Sequence, residues 1–331
     1  MNSTYPQLTL QTVKEAMQRI SPLVHQSPLQ SCRSLSEVCG HKVYLKLENM
    51  QKTGSFKIRG AANKIFSLSQ SEAACGVISA SAGNHAQGVA WAASACGVAA
   101  TVVMPRQAPL AKIRATEAYG ARVVLHGANY DEAYQHARTL QAEQNMTFIH
   151  AFDDDGVIAG QGTIALEILE KMPETEVLVA AVGGGGLLSG LAAAAKALKP
   201  GIKIIGVQAA GAPAMAQSLA QDSLVTLPSV KTLADGIAVK CPGKLTFNYL
   251  KKYVDDMVLV DEEEIKAGIM FMLERGKIIT EGAGAAGVAA LLAGKIAGPR
   301  KNTAVVVSGG NIDPMRLSEI IAARCQQAAS F

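Results

Sequence analysis

Eight short apolar runs constrain this chain more than any other feature: KVYLKLE from Lys42, GVISAS from Gly76, ATVVMP from Ala100, ARVVLHG from Ala121, VLVAAV from Val177, KIIGVQ from Lys203, DMVLVD from Asp256 and TAVVVS from Thr303. A strand with one face in water alternates apolar and polar residues, whereas most of these runs are continuous, as in parallel sheets covered on both faces. Helical patterns lie between them. Leu10, Val13, Met17 and Ile20 form one apolar stripe, and Asp261 to Glu264 is a D-x-x-E start signal before IKAGIMFMLERG. The alternation predicts an α/β fold of open, twisted, parallel-rich sheets flanked by helices. At roughly 150 residues per domain, 331 residues make about two domains. No Pro/Gly/Ser linker divides them. The loop around Met50 to Ser55 and the acidic Asp153 to Asp155 are the best crossing points, which would make residues 53–148 a small domain inserted into a large one of residues 1–52 and 149–331.

Several function classes are excluded by composition. Thirty-one Lys and Arg against 27 Asp and Glu leave +4, with no stretch that concentrates basic residues, so nucleic acid is a poor partner. Val177 to Ala195 carries no charge over about the span of a bilayer helix, but four consecutive glycines interrupt it, so a buried strand, a loop and a helix start fit better than a membrane segment. Six scattered cysteines without a CxxC pair, and a start MNSTYPQLTLQTVKEAMQRI without an apolar secretory core, point to a reducing cytoplasm.

Four glycine-bearing segments stand where strands give way to loops or helices. Gly183, Gly184, Gly185 and Gly186 follow VLVAAV and precede LLSGLAAAAKAL, a strand, a side-chain-free turn and a helix N-terminus. Such a turn aims backbone N–H groups at an anion, phosphate above all, although a tight turn alone would need one or two of these glycines. Lys57 lies in Thr53 to Gly60 between Phe56 and Ile58. An apolar setting lowers a lysine pKa and frees a neutral amine for Schiff-base chemistry. Ser79 to Gly88 packs small hydroxyl and amide groups after a strand, enough to wrap a carboxylate, while Asn84 and His85 equally suit helix capping. Ser308 to Asn311 closes the last run with a hydroxyl. A literal GxGxxG occurs at Gly282 to Gly287, but only KIIT separates it from a preceding helical pattern and the next strand ends on Ser308 rather than an acid. Helix packing through small residues explains it at least as well as a nicotinamide site.

Taken together, LKLENMQKTGSFKIRGA, SASAGNHAQG, VIAGQGTIALEI, AVGGGGLLSG, TLADGIAV, TEGAGA and VVVSGGNID occur in an order that resembles the pyridoxal-phosphate enzymes of the tryptophan-synthase-β-like fold (fold type II). Within them the chain is most similar to the single-module, catabolic threonine dehydratases, because it stops shortly after SGGN, without room for a regulatory tail. The resemblance implies pyridoxal phosphate on Lys57 with Phe56 beside its ring. It also implies the phosphate on Gly183 to Gly186, the ring hydroxyl on Asn84, the pyridine nitrogen on Ser308, and the cofactor between the two domains. Ser81, Ala82, Gly83, Asn84 and His85 would line the substrate carboxylate. Freed Lys57 would remove the α-proton of L-threonine, the β-hydroxyl would leave on a proton from the cofactor phosphate, and hydrolysis would yield 2-oxobutanoate and ammonia; L-serine would give pyruvate. A serine hydroxyl stabilises a protonated pyridine poorly compared with the usual Asp, which favours prompt loss of a β-substituent.

Neighbouring subgroups read differently. Serine racemases resemble the chain throughout but carry a serine where Ala82 stands, and Ala82 has no proton to give on the face opposite the lysine. Their divalent-cation site would need acids where Gln208 and Ala214 stand, so no metal is expected. Cysteine synthases differ at SFKIRG and SAGNHAQG. The resemblance further implies a homodimer or homotetramer, with AMP or a related nucleotide as effector. Alternatives are a serine racemase or serine dehydratase of the same family and, more remotely, a nicotinamide-dependent oxidoreductase or a non-catalytic amino-acid sensor.

Overall fold

The computed structural model describes residues 7–296 and 301–329, with side chains to residue 326. Residues 1–6, at the start of the segment read above for a secretory signal, lie outside the described residues.

The strands are β1 (Leu29–Ser31), β2 (Val43–Leu47), β3 (Val77–Ala80), β4 (Ala100–Met104), β5 (Arg122–Leu125), β6 (Thr147–Phe148), β7 (Val177–Ala181), β8 (Lys203–Ala209), β9 (Asp256–Val260) and β10 (Thr303–Val307). They form a six-stranded sheet in the order β1-β2-β10-β7-β8-β9 and a four-stranded sheet in the order β5-β4-β3-β6. Every pairing is parallel except the antiparallel edge pair of β1 and β2. All eight apolar runs are strands. β3, β4, β7 and β10 are buried along their whole length, which is why their sequences do not alternate.

Helices cover the sheets. Leu10–Ile20 buries Thr12, Val13, Ala16 and Ile20, leaving Leu10 and Met17 half-buried, so the predicted stripe is rotated slightly. Glu262–Phe271 starts at the expected capping box, with Asp261 and Glu264 each accepting the other's backbone N–H. The GxGxxG glycines lie in the Gly282–Leu292 helix, which is buried from Gly282 to Leu291. A Cβ on Gly284 would sit 2.2 Å from the Gly309 carbonyl oxygen, and one on Gly287 would sit 2.7 Å from Val305 Cγ1, so these glycines serve close packing on β10 rather than a dinucleotide. No described helix is long and apolar enough to cross a membrane; Val177 to Ala195 divides into β7, a glycine turn and the Gly186–Leu198 helix.

Candidate active site

Lys57 opens the helix Lys57–Ile65, directly after Phe56. The approach to it is tied to the end of β10: Ser55 bridges Gly309, Phe56 N–H donates to the Ser308 carbonyl (3.1 Å) and Gly310 N–H to the Gly54 carbonyl (2.9 Å). Lys57 and Ser308, 251 positions apart in sequence, therefore belong to one constellation. The half-buried Lys57 Nζ donates to the Ala151 carbonyl at 2.8 Å and lies 5.2 Å from the centre of the Phe56 ring. Burial pushes its pKa down to about 8, against an upward pull from the Glu281 carboxylate. A substantial neutral fraction is thus available near physiological pH, which a nucleophilic amine requires.

The glycine turn meets the same segment. Cβ atoms on Gly184 and Gly186 would lie 2.4 and 2.8 Å from Phe152 atoms, and Phe152 follows the Ala151 carbonyl that holds Lys57. Gly185 has φ +98°, the left-handed region that disfavours any residue with a Cβ. Val182 N–H donates to the Val207 carbonyl, and the next amide with a protein acceptor is Ser189, which donates to the Gly185 carbonyl. Between them the N–H groups of residues 183–188 have no protein acceptor among the described residues. Thr246 O–H, donating to the Gly184 carbonyl at 2.6 Å, and Asp153, which accepts three N–H groups at the start of the Lys244–Tyr253 helix, brace the turn from behind. Free donors at a helix N-terminus within a side-chain-free turn fit a phosphate.

A second helix N-terminus faces the site. Helix Asn84–Cys96 crosses the start of the Lys57 helix at Gly88, where a Cβ would lie 3.1 Å from Ile58 N. The Gly83 N–H donates to Ser81 Oγ at 3.2 Å, Ala82 packs against the core of the smaller sheet, and the N–H groups of residues 84–86 have no protein acceptor among the described residues. Within this loop the His85 side chain is turned into the core. Its ring Nε2 is 2.9 Å from the Ile149 carbonyl, its Nδ1 is buried without a partner, and burial together with the Lys57 charge pushes its pKa down to about 3. A neutral ring whose one N–H is spent on Ile149 cannot donate to a carboxylate, so His85 offers the site only its main-chain N–H.

Glu281 is the residue that sequence reasoning missed. It is 4% exposed, accepts from Asn84 Nδ2 at 2.7 Å, and lies where a Cβ on Gly309 would be 2.4 Å from its Oε1. Asn311 Nδ2 donates in turn to Asn84 Oδ1 at 2.8 Å. Burial, with Asp235 adding to it, pushes the Glu281 carboxyl up to about 7. The TEGAGA motif contains it, but its task depends on Asn84 and Ser308 arriving from distant positions. Two outcomes follow for the apoprotein. With Lys57 as the cofactor lysine that the resemblance implies, the rate at which the apoprotein captures pyridoxal phosphate rises with pH through a midpoint near 8, followed by absorbance. Glu281→Gln moves that midpoint down, because the carboxylate that favours the charged amine is gone; an unmoved midpoint would mean the two groups do not interact.

Gln208, which stands where the resemblance would put an acid of a cation site, is held by hydrogen bonds within the chain. Its Nε2 donates to the Ala212 carbonyl (3.3 Å) and its Oε1 accepts from Ala216 N–H (2.7 Å), so both ends of the amide are used within the chain.

A lysine of lowered pKa beside a glycine turn with free N–H donors, in a fold of two parallel-rich sheets, is the arrangement of a pyridoxal-phosphate enzyme of fold type II. The sequence model of the family described as "Pyridoxal-phosphate dependent enzyme" matches residues 20–309, and the chain belongs to that family. An L-threonine ammonia-lyase of Thermotoga maritima is 53% identical over 95% of this chain and 78% of its own length. A catabolic L-threonine dehydratase, TdcB, of Staphylococcus aureus is 48% identical over 95% of this chain and 92% of its own. Among solved structures, maize serine racemase superposes with a TM-score of 0.91 at 36% identity, covering 98% of this chain and all of that one (100%).

Proposed function

We propose that this enzyme is a threonine ammonia-lyase, converting L-threonine to 2-oxobutanoate and ammonia, with L-serine to pyruvate as a side activity. The observation that carries the chemistry is the convergence of one amine of lowered pKa, Lys57, with two helix N-termini whose donors have no protein acceptor among the described residues. One suits the cofactor phosphate at Gly183 to Gly186, the other a substrate carboxylate at Ser81 to His85. The names of relatives at 53% and 48% identity direct the choice of substrate.

Bound pyridoxal phosphate supplies an electron-withdrawing ring in conjugation with the substrate α-carbon. Lys57 Nζ holds the cofactor between turnovers and, once released, takes the α-proton. Asn84, fixed between Glu281 and Asn311, would hold the ring hydroxyl, and Ser308, 3% exposed directly after β10, would hold the ring nitrogen. Phe56 shields the amine from one side. The backbone donors of residues 84–86 would hold the carboxylate. Residues 1–52 and 149–331 would form the large domain and 53–148 the small one, with the site between them. This division is supported by the membership of β3 to β6 in the smaller sheet. A cytoplasmic homodimer or homotetramer responsive to AMP completes the reading, checked by sizing the protein and by adding AMP to the assay.

A serine racemase reading rests on the maize structure and meets an obstacle at Ala82, a methyl group where racemisation needs a proton donor. Parallel assay of L-threonine, L-serine and D-serine decides. The expected pattern is 2-oxo acid from both L-amino acids, fastest from L-threonine, with no D-serine formed from L-serine; Ala82→Ser then introduces measurable D-serine. Rapid racemisation by the unaltered enzyme would overturn the assignment.

A further inference from the structure

Behind the site lies a closed cluster of four charges. Arg59, Lys46 and Glu48 are fully buried and Glu167 is 2% exposed. Arg59 Nε and Nη2 fork onto Glu48 at 2.8 and 2.9 Å, and Nη1 and Nη2 fork onto Glu167 at 2.7 and 2.9 Å. Nη1 also donates to Thr163 Oγ1 at 3.1 Å. Lys46 Nζ completes the cluster on Glu167 (2.5 Å) and on the Ser27 carbonyl (2.7 Å), while the Ser27 hydroxyl donates to Glu48. Two positive and two negative charges balance, and although burial opposes ionisation of Glu48, the Arg59 guanidinium holds its carboxyl below the usual range. Buried ion clusters contribute little net stability compared with apolar packing of equal volume, and their best-attested use is to enforce one arrangement.

The geometry shows which arrangement is enforced. Lys46 and Glu48 belong to the end of β2, and Thr163 and Glu167 to the Asp155–Lys171 helix, all outside the helix that carries Lys57. Within the cluster, Arg59 alone comes from that helix. Two residues are about 200° around an α-helix, so Lys57 and Arg59 leave its first turn on opposite sides. The amine reaches Ala151 in front while the guanidinium is clamped at four hydrogen-bonding contacts to carboxylates behind. The two helices touch backbone to backbone here, since a Cβ on Gly160 would lie 2.5 Å from the Arg59 carbonyl oxygen.

We propose that Arg59 is a positioning residue for Lys57: its double fork onto Glu48 and Glu167 fixes the rotation of the first helical turn and thereby the direction of the amine. The inference rests on the reading of Lys57 as the lysine that bears the cofactor. Glu281, His85 and His150 are the titratable groups whose charges act on that amine or are acted on by it, and a rotated turn withdraws it from all three.

Arg59→Lys tests the proposal because it keeps the charge and removes the planar fork. Misplacement of a reacting group by about an ångström costs up to ~100-fold, so we expect kcat per cofactor-loaded subunit to fall at least about tenfold, with KM for L-threonine changed less than about threefold. Capture of pyridoxal phosphate by the apoprotein at neutral pH should slow by a similar factor. Ile265→Ala, in the core of the larger sheet, serves as a destabilised control: its melting temperature falls while kcat and capture stay unchanged. Glu48→Gln, which is isosteric, should move the same readouts in the same direction and decides the matter if Arg59→Lys does not fold. A folded variant with a lowered melting temperature but wild-type kcat and capture rate overturns the proposal, leaving the cluster as scaffold. Borohydride trapping separates the two layers of argument. A label on another lysine in the unaltered protein defeats the reading of Lys57, whereas a label on Lys57 with an unaffected Arg59→Lys defeats the positioning alone.

Discussion

Lys57→Ala abolishes ammonia release from L-threonine, lowering turnover by about four orders of magnitude or more, because in the proposed function it removes both the amine that holds the cofactor and the base that takes the α-proton. The fold survives. Lys57 is half-buried at a helix start, and its hydrogen bond to the Ala151 carbonyl is the only one its amine makes to a described residue. Linkage strengthens the expectation. The amine titrates near 8 in the folded protein against 10.5 when unperturbed, so at neutral pH the unfolded chain binds its proton more tightly. That penalty is fully present below about 8 and is relieved as pH rises toward 10.5. Removing the amine lifts it, and the apoprotein should melt no earlier than the parent at pH 7. Thermal denaturation of both apoproteins and a lactate-dehydrogenase-coupled or direct 2-oxo acid assay measure the two halves. Residual turnover within a hundredfold of the parent would place the chemistry elsewhere.

Gly185→Ala produces the second large effect. At φ +98° a Cβ costs about 1–3 kcal/mol in backbone strain, and it would stand 2.8 Å from both Met215 Cε and Thr246 Cβ. Met215 can swing away, but Thr246 is anchored by its hydroxyl on the Gly184 carbonyl at the start of a helix capped by Asp153, so the turn itself must move. Moving the turn splays the N–H groups that fit the phosphate. At about 1.4 kcal/mol per decade, the dissociation constant for pyridoxal phosphate should rise roughly 10- to 100-fold, and inorganic phosphate should weaken in step as a competitor of cofactor capture. A lowered melting temperature with unaltered affinity for both would show that the glycines serve the fold and not the cofactor.

How much of this was legible before any coordinates depended on the range of each signal. Continuous Val and Ile runs report burial on both faces, and all eight became strands. β1 and β6, with three and two residues, are too short to carry a pattern and exist because a neighbouring strand offers an edge. The glycine turn is a local signal and stands where VLVAAV and LLSGL placed it. Lys57, Asn84 and Ser308 were identified through resemblance, and the structure links them by way of Phe56 and Glu281. Long-range pairs were invisible. Asn84 gives no hint of Glu281, 197 positions away, nor Arg59 of Glu167, 108 away. The inward turn of the His85 ring is equally hidden, because its loop reads as polar, whereas the ring is drawn inward by the Ile149 carbonyl and kept neutral by burial and by Lys57.

The most direct measurement of the central claim is borohydride reduction of the unaltered, cofactor-loaded protein followed by mass mapping of its peptides. The account predicts one modified peptide, carrying a reduced pyridoxyl-phosphate group on Lys57, with the visible absorbance lost on reduction. A group on any other lysine, or a protein that acquires no visible absorbance when given pyridoxal phosphate, would contradict it.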